Sequence, residues 1–419
     1  MVDDRELLTR LFAAAVKAAD PITGIRKHLP PPPKGGRTIV VGAGKGAAQM
    51  AQALEKVWDA EISGAVVTRY GYGCSTRSIE VLEAAHPVPD AAGLAATRRM
   101  FELVSGLSEN DLVIALICGG GSALLPAPPA GMSLAEEIRL NELLLASGAP
   151  ISEMNIIRKH LSTIKGGRLA AATKARVVSL VVSDIPGDNP AFVASGPTVP
   201  DASSRQDALQ LVQQYSLPLP SKMMAFLNSP EADAPKPEDP RFARHQHFVV
   251  ASAAVSLEAA AAAARDYGLT PQILSDSIEG EARDVALVLA GIAREVAGRG
   301  RPFVRPALLL SGGETTVTLR GKGGKGGRNG EFALAFALAI DGFAITALAA
   351  DTDGIDGSEE NAGAFVDGST AKRLRTAGRD GRSLLDKNDS FSAFEATDDL
   401  FITGPTGTNV NDFRAIIIR

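Results

Sequence analysis

The 419-residue chain has only two cysteines, one tryptophan and four tyrosines, and aromatic residues make up 5% of it. Cys74 and Cys118 cannot build a disulfide framework, and no zinc-type spacing surrounds them. A reducing, cytosolic setting is therefore the expectation. So few aromatics leave little for the stacking platforms that grip single-stranded nucleic acid. Excess positive charge is missing too: 43 Lys and Arg stand against 48 Asp and Glu, a formal net charge of −5, whereas nucleic-acid binding wants a basic face. No apolar run is as long as a membrane span. The opening "MVDDRELLTRLFAAAVKAAD" lacks the charged, apolar and cleavage regions of a signal peptide. Repeats and low-complexity tracts are absent. What remains is an ordinary globular composition, 45% hydrophobic and 22% charged, in a chain too long for one core.

The pattern along the chain predicts two α/β domains. An amphipathic helix over about 3–19 is followed by "PPPPKGGR", a proline stop. "TIVVGAGKGAAQMAQALEKVW" reads as strand, glycine turn and helix, "GAVVTRYGYG" as a second strand and turn, and "LVIALICGGGSALL" as another strand and glycine turn. "VVSLVVSDIPGD" is a further apolar strand ending in acids. Continuous Val/Ile/Leu runs alternating with helices predict a mostly parallel sheet covered on both faces, a Rossmann-like domain over 1–240. The proline-rich, charged segment 228–246 reads as the linker, with a long surface loop as the alternative. A second, smaller α/β domain over 241–419 is expected from "HFVVAS", "PQILSD", "PALLLSGGE", "AITALAADTDGIDG", "DLFITG" and "AIIIR", with Ala-rich helices over about 254–267 and 279–297. In open α/β sheets ligands sit at the carboxyl ends of strands, where most of the glycine and acid clusters fall.

Those clusters carry the chemistry. Gly42, Gly44 and Ala47 satisfy the G-x-G-x-x-G/A fingerprint, a weak signal alone. A nicotinamide site also wants an acid at the end of the second strand, and this strand ends in Thr68 and Arg69. The Walker spacing is not met either. What is left is a helix start with an added cation, Lys45, suited to a phosphate or carboxylate; a glycine turn with a solvated lysine is the plainer reading. Gly119, Gly120 and Gly121 would let backbone approach a ligand, with Ser122 at the expected N-cap. A helix is expected from Ser152, with Asn155, Lys159 and Ser162 on one polar face and Lys165 and Arg168 near its end. Those cations could equally complement the helix dipole, and His160 reads as a packed histidine.

Asp184 and Asp188 lie four apart across a turn, a spacing suited either to Mg²⁺, which takes one or two carboxylates plus phosphate oxygens, or to turn stabilisation. Glu314, Asp351, Asp353 and Asp356 follow other strands. Between Thr318 and Glu331 the chain carries six glycines and four cations, and the stretch 321–330 reads as a mobile, cation-bearing cover for an anion. Anion cradles, cations and strand-end acids together form the inventory of phosphoryl transfer.

"GAGKGA", "CGGGSALL", "NIIRKHLSTIKGGRLA", "SDIPGDNPAFVASGPTVPD", "SGGETTV", "GGRNGEFAL", "ADTDGIDG" and "ITGPTGTNVND", in that order from about residue 5 to the end, resemble the type II glycerate 2-kinases, whose C-terminal part is called the MOFRL domain. The resemblance implies transfer of phosphate from ATP, with Mg²⁺, to the 2-hydroxyl of D-glycerate. It places the family's active-site lysine and arginine on Lys45 and Arg328. On this reading Ser122, Asn155, Lys159 and Arg168 are candidates to hold glycerate, and Asp184, Asp188, Glu314 and Asp351 to carry metal or orient the hydroxyl. Gly42, Gly44, Gly119, Gly120, Gly121, Gly313 and Gly327 would line the nucleotide. No nucleic-acid or membrane partner is implied, and a homo-oligomer is compatible with the sequence. The alternatives are an NAD(P)-dependent hydroxypyruvate or tartronate semialdehyde reductase, a name family members have often carried, and a non-catalytic anion-binding regulator.

Overall fold

The computed structural model describes residues 3–319 and 323–419. The chain forms two compact units: Pro21–Val250, and Ala251–Arg419 together with the segment before Pro21.

The first unit is built on a six-stranded sheet. β1 (Thr38–Ala43), β2 (Ser63–Arg69), β3 (Ile79–Ala84), β4 (Leu112–Cys118), β5 (Arg176–Val182) and β6 (Gln246–Ala251) stand in the order 3-2-1-4-5-6. The pairs β2–β3, β1–β2, β1–β4 and β4–β5 are parallel. This is the doubly wound order, with its switch point between β1 and β4. All six residues of β1 and all seven of β4 are buried, as their unbroken apolar runs require when helices cover both faces. The helix Ala47–Val57 follows β1, and Ala91–Val104 follows β3 with its N-cap Asp90 accepting from Gly93 N at 3.0 Å. Helices Leu134–Ala146, Ile151–His160, Arg205–Gln214 and Ser221–Leu227 share a separate apolar cluster.

The second unit holds β7 (Thr270–Glu281), β8 (Ala307–Thr316), β9 (Ile345–Asp351), β10 (Gly363–Asp367), β11 (Leu400–Phe401) and β12 (Asp412–Ile418), in the order 11-10-9-12-8-7. Only β7–β8 is parallel; the other four pairs are antiparallel. Helices Ala282–Arg299 and Arg328–Ala339 bury one face of this sheet. Helices Asp4–Ala18 and Ala253–Arg265 bury the other.

The structure departs from three expectations. The first helix lies in the second unit, not in a domain 1–240: Leu7, Leu8, Leu11, Phe12 and Ala15 join the core of β8, β9 and β12. Segment 228–246 is no linker but a folded part of the first unit, where Ala232 is fully buried and Asp201 N donates to Pro235 O at 3.0 Å. "HFVVAS" supplies β6 of the first sheet rather than opening the second domain, so the division falls near residue 250 instead of 240. Apolar spacing identified these elements but carries no information about which core each one joins.

Phe12 sits edge-on to Phe401 and Phe413, at ring-centroid distances of 5.0 and 5.7 Å. Phe12→Ala should destabilise the protein by about 3–5 kcal/mol, read as a lowered unfolding midpoint in urea. A loss below about 1 kcal/mol would mean that the helix is only loosely attached.

Candidate active site

Each of the first five strands delivers a polar group at its carboxyl end. After β1 the chain turns at Gly44 (φ +141°) into Lys45. Lys45 N donates to Gly119 O at 2.8 Å, and Gly46 N to Cys118 Sγ at 3.2 Å, so the turns after β1 and β4 are stitched together. That closeness is why Gly44 is glycine: a Cβ there would lie 2.4 Å from the Cys118 carbonyl oxygen. At the end of β2, Thr68 Oγ1 donates to Lys45 O at 2.9 Å, which fixes the turn from the other side. Burial pushes the Cys118 thiol up to about 12, so it is no nucleophile at neutral pH.

The three glycines after β4 each touch something different. A Cβ on Gly119 would stand 1.7 Å from Asp184 Oδ2. On Gly120 (φ +81°) it would meet Lys45 Cγ at 2.9 Å and His86 Nε2 at 3.0 Å, and on Gly121 it would meet Ala194 Cβ at 2.7 Å. Lys45, His86 and Asp184 therefore converge on one bare stretch of backbone, from the ends of β1, β3 and β5. Lys45 and Asp184 were expected there. His86 was not, since a lone histidine in "AAHPVPD" follows no motif. Burial lowers its pKa first, and the positive charges of Lys45 and Arg69 add to this. Arg69 itself packs its guanidinium 3.5 Å over the Tyr72 ring.

Next to the cradle is a hydroxyl network. Ser122 is not the N-cap expected of it; Gly120 takes that place, and Ser122 lies inside the short helix Gly121–Leu124. Its Oγ is 2.9 Å from Ser195 Oγ, which bonds Asn155 Oδ1 at 3.3 Å, an oxygen that also accepts from Arg158 at 3.2 Å. Ala194, Ser195 and Gly196 all have positive φ, at 52°, 59° and 59°. Such conformations cost about 1–3 kcal/mol for a non-glycine residue and concentrate at functional sites. After His86, Ser195 is the second residue that sequence reasoning missed.

Other candidates are occupied elsewhere. The helix expected from Ser152 begins at Ile151 behind Pro150. Lys159 is fully buried and pairs with Asp201 at 2.6 Å beneath the Phe192 ring. Arg168 donates to the carbonyl oxygens of Lys159, Lys165 and Ala232, and burial lowers its pKa to about 10. Both cations therefore hold loops together rather than face open space. His160 is the packed histidine expected, with Nδ1 2.7 Å from Ala232 O. Asp188 has φ 52° in a tight turn after Gly187. Gly42 lies within β1, where a Cβ would come 2.5 Å from Leu116 O, and so serves strand packing.

The second unit has its own charged cluster. Arg328 is the first residue of its helix, not part of a flexible cover. It donates to Asp412 at 2.6 Å, Glu314 at 2.7 Å and Asp351 at 2.8 Å. Burial alone would lower its pKa; the three carboxylates overcome that and raise it. Glu314 lies inside β8, not at its end. Asp412 also accepts from Arg414, which is fully buried, and from Thr315 N at 3.0 Å. Asp356 accepts from Asn329 N at 2.9 Å and Gly330 N at 2.7 Å, capping the helix. Two guanidinium groups thus face four carboxylates, and the acid in excess is held towards its neutral form. Burial, then Asp353, pushes Asp351 up, and burial pushes Asp356 up to about 6.

Gly327 and Arg328 line a cavity of about 250 Å³ with Asp351 and Asp356. Gly313 is needed for pairing, since a Cβ would strike Ile278 O at 2.2 Å. Of the segment expected to form the cover, Gly321 and Lys322 lie outside the described residues, and Lys325 reaches Glu359 at 3.7 Å. The four carboxylates expected to carry metal or orient the hydroxyl divide between the units: Asp184 and Asp188 in the first, Glu314 and Asp351 around Arg328 in the second. Among the described residues no group of three or more His, Cys, Asp or Glu is arranged to hold a metal ion, and no helix is long and apolar enough to cross a membrane.

The first unit is a doubly wound fold with a glycine cradle at its switch point, the architecture of proteins that hold anionic ligands there. Residues 307–412 match the MOFRL family, and residues 7–228 match a domain described only as one of unknown function, DUF4147. The chain belongs to the type II glycerate 2-kinase family. It is 39% identical over its whole length to a glycerate 2-kinase of Pyrococcus horikoshii, covering 98% of that protein. It is 49% identical over its whole length to an Agrobacterium vitis protein provisionally named hydroxypyruvate reductase, covering 95% of it. A solved glycerate kinase from Thermotoga maritima superposes with a TM-score of 0.88 at 38% identity, covering 99% of each chain.

The Asp356 carboxyl gives a pH test. Its pKa is raised on folding from about 4 to about 6. The stability it adds is therefore complete below about pH 4 and is lost as pH rises through 6. Asp356→Asn should flatten the fall in unfolding midpoint between pH 4 and 7, a difference of about 1–3 kcal/mol. Parallel curves for wild type and variant would show that this carboxyl does not titrate on folding.

Proposed function

We propose that the protein transfers the γ-phosphoryl group of ATP to the 2-hydroxyl of D-glycerate, giving 2-phosphoglycerate and ADP. The observation that carries this reading is the convergence of Lys45, His86 and Asp184 on the backbone of Gly119 and Gly120, where a side chain would not fit. Lys45 supplies a positive charge where the transferring group gains negative charge, and Asp184, packed against Gly119, supplies a carboxylate beside it. The Ser122, Ser195 and Asn155 network offers neutral polar groups for the glycerate carboxylate and hydroxyls. Lys159, paired with Asp201, and Arg168, bonded to main-chain carbonyls, are not kept in this reading as glycerate ligands. Arg328 is kept, on the family resemblance, as the second cation of the reaction.

Asp184 fits a magnesium site better than the other acids do. Its carboxylate lies against the cradle backbone beside the lysine turn, and Mg²⁺ needs only one or two protein carboxylates when phosphates supply the rest. When bound, the ion would neutralise phosphate charge there. The reductase name finds no support in this geometry. β2 ends in Thr68, bonded to the lysine turn, and Arg69, stacked on Tyr72, with no acid for a ribose.

Coupling product formation to enolase without a mutase tests the reading, because enolase accepts only the 2-isomer. Signal without mutase is expected, together with no loss of NADH absorbance on adding hydroxypyruvate; the reverse pair of results would overturn it. Lys45→Ala should lower kcat on the order of 10²-fold or more with little change in melting temperature. Arg328→Lys should lower both kcat and melting temperature, because an ammonium cannot span the three carboxylates as the planar guanidinium does. Normal turnover in either variant would remove that residue from the mechanism.

A further inference from the structure

We propose that His86 is a catalytic residue of this transfer, taking the proton from the glycerate 2-hydroxyl through Nε2. The proposal rests on the kinase reading given above. Its ground is placement: Nε2 stands 3.0 Å from the Cβ position of Gly120, on the same side of the cradle as Lys45 Cγ. A reacting hydroxyl that donates to Nε2 would also lie beside the lysine chain, since both side chains close on the same point of the backbone. In the transfer the hydroxyl oxygen bonds the γ-phosphorus, the bond from that phosphorus to the β–γ bridging oxygen breaks, and ADP leaves with the electron pair. The hydroxyl proton passes to Nε2 and from there to solvent.

The charges around the ring favour a neutral acceptor. Lys45 follows β1 and Arg69 ends β2, and both oppose protonation. Cys118, at the end of β4, stays a neutral thiol. The nearby acids face other groups: Asp90 accepts from Tyr70 at 2.7 Å, and Glu83 accepts from Gly71 N and Gly73 N at 3.0 and 2.9 Å. Asp184 lies against Gly119, the neighbouring glycine, where a carboxylate serving Mg²⁺ and phosphates makes a weak base. An uncharged imidazole between two cations is the better acceptor near neutral pH.

The test compares wild type, His86→Asn and His86→Gln with saturating Mg²⁺–ATP from pH 5.5 to 9, alongside Kd values for D-glycerate and a non-hydrolysable ATP analogue. Wild-type kcat should fall on the acid side as the imidazole takes a proton. Both variants should lose kcat on the order of 10²-fold, lack that acid limb, and bind both ligands as wild type does. An acid limb that persists in the variants, or a change confined to KM and Kd, overturns the assignment. If His86→Asn melts early, His86→Gln, which keeps a neutral polar group of similar reach, decides the matter alone. A wild-type enzyme that forms no 2-phosphoglycerate would instead overturn the kinase reading, so the two failures are distinct.

Discussion

The site depends on how closely two turns of backbone approach each other. The turns after β1 and β4 touch through the Lys45 N to Gly119 O bond at 2.8 Å and the Gly46 N to Cys118 Sγ contact at 3.2 Å. Neither would survive a side chain at Gly44, nor would the Asp184 position survive one at Gly119. Because the approach is made by main chain, the groups on it cannot drift independently: moving the Asp184 carboxylate means moving the end of β5, and moving Lys45 means moving the end of β1. The parallel sheet fixes those ends to one another through its ladders. Preorganisation of this kind is what phosphoryl transfer asks of a protein, since charge must already be in place when the reaction begins.

The second unit meets a different demand. The charges around Arg328 do not balance pairwise: Arg328 pairs with Asp412, Asp351 and Glu314, Arg414 shares Asp412, and Asp356 bonds main-chain amides instead. Uncompensated buried charge is costly, and the structure limits the cost in two ways. Asp356 spends its lone pairs on the first amides of a helix, where the dipole favours an anion. Asp351 is pushed towards its neutral form. The short exposed arm is Glu314, which leaves about half its side chain in solvent while still holding Arg328.

Sequence legibility followed the range of the interactions. The turns after β1 and β4 were readable because strand, glycines and helix start are contiguous, and so were Lys45, Gly119 and Asp184 as members of one edge. The setting of Arg328 was not readable: its partners stand at 314, 351 and 412, and glycine richness around it pointed to a loose cover. His86 and Ser195 escaped because each is a single polar residue whose meaning lies in what β4 and the strained 194–196 turn bring beside it. Lys159 was readable as a cation on a helical repeat and Arg168 as one beside a glycine pair, but their partners, Asp201 and Ala232 O, are remote in sequence. β3 and β10 were missed because neither has the long apolar run that marks a buried strand.

The order in which the units are strung has a consequence for synthesis on the ribosome. The first unit is contiguous and can close as soon as residue 250 has emerged. The second cannot. Its helix Asp4–Ala18 is made before the first unit, yet it packs on helix Ala253–Arg265 and on β8, β9 and β12, all made after that unit. Until those elements follow, that helix carries an apolar face without the partners it has in the folded protein, while a complete domain folds behind it. Rates of about 5–20 residues per second make this wait tens of seconds, long enough for the exposed stripe to need shielding by a chaperone or by transient contact with its own chain.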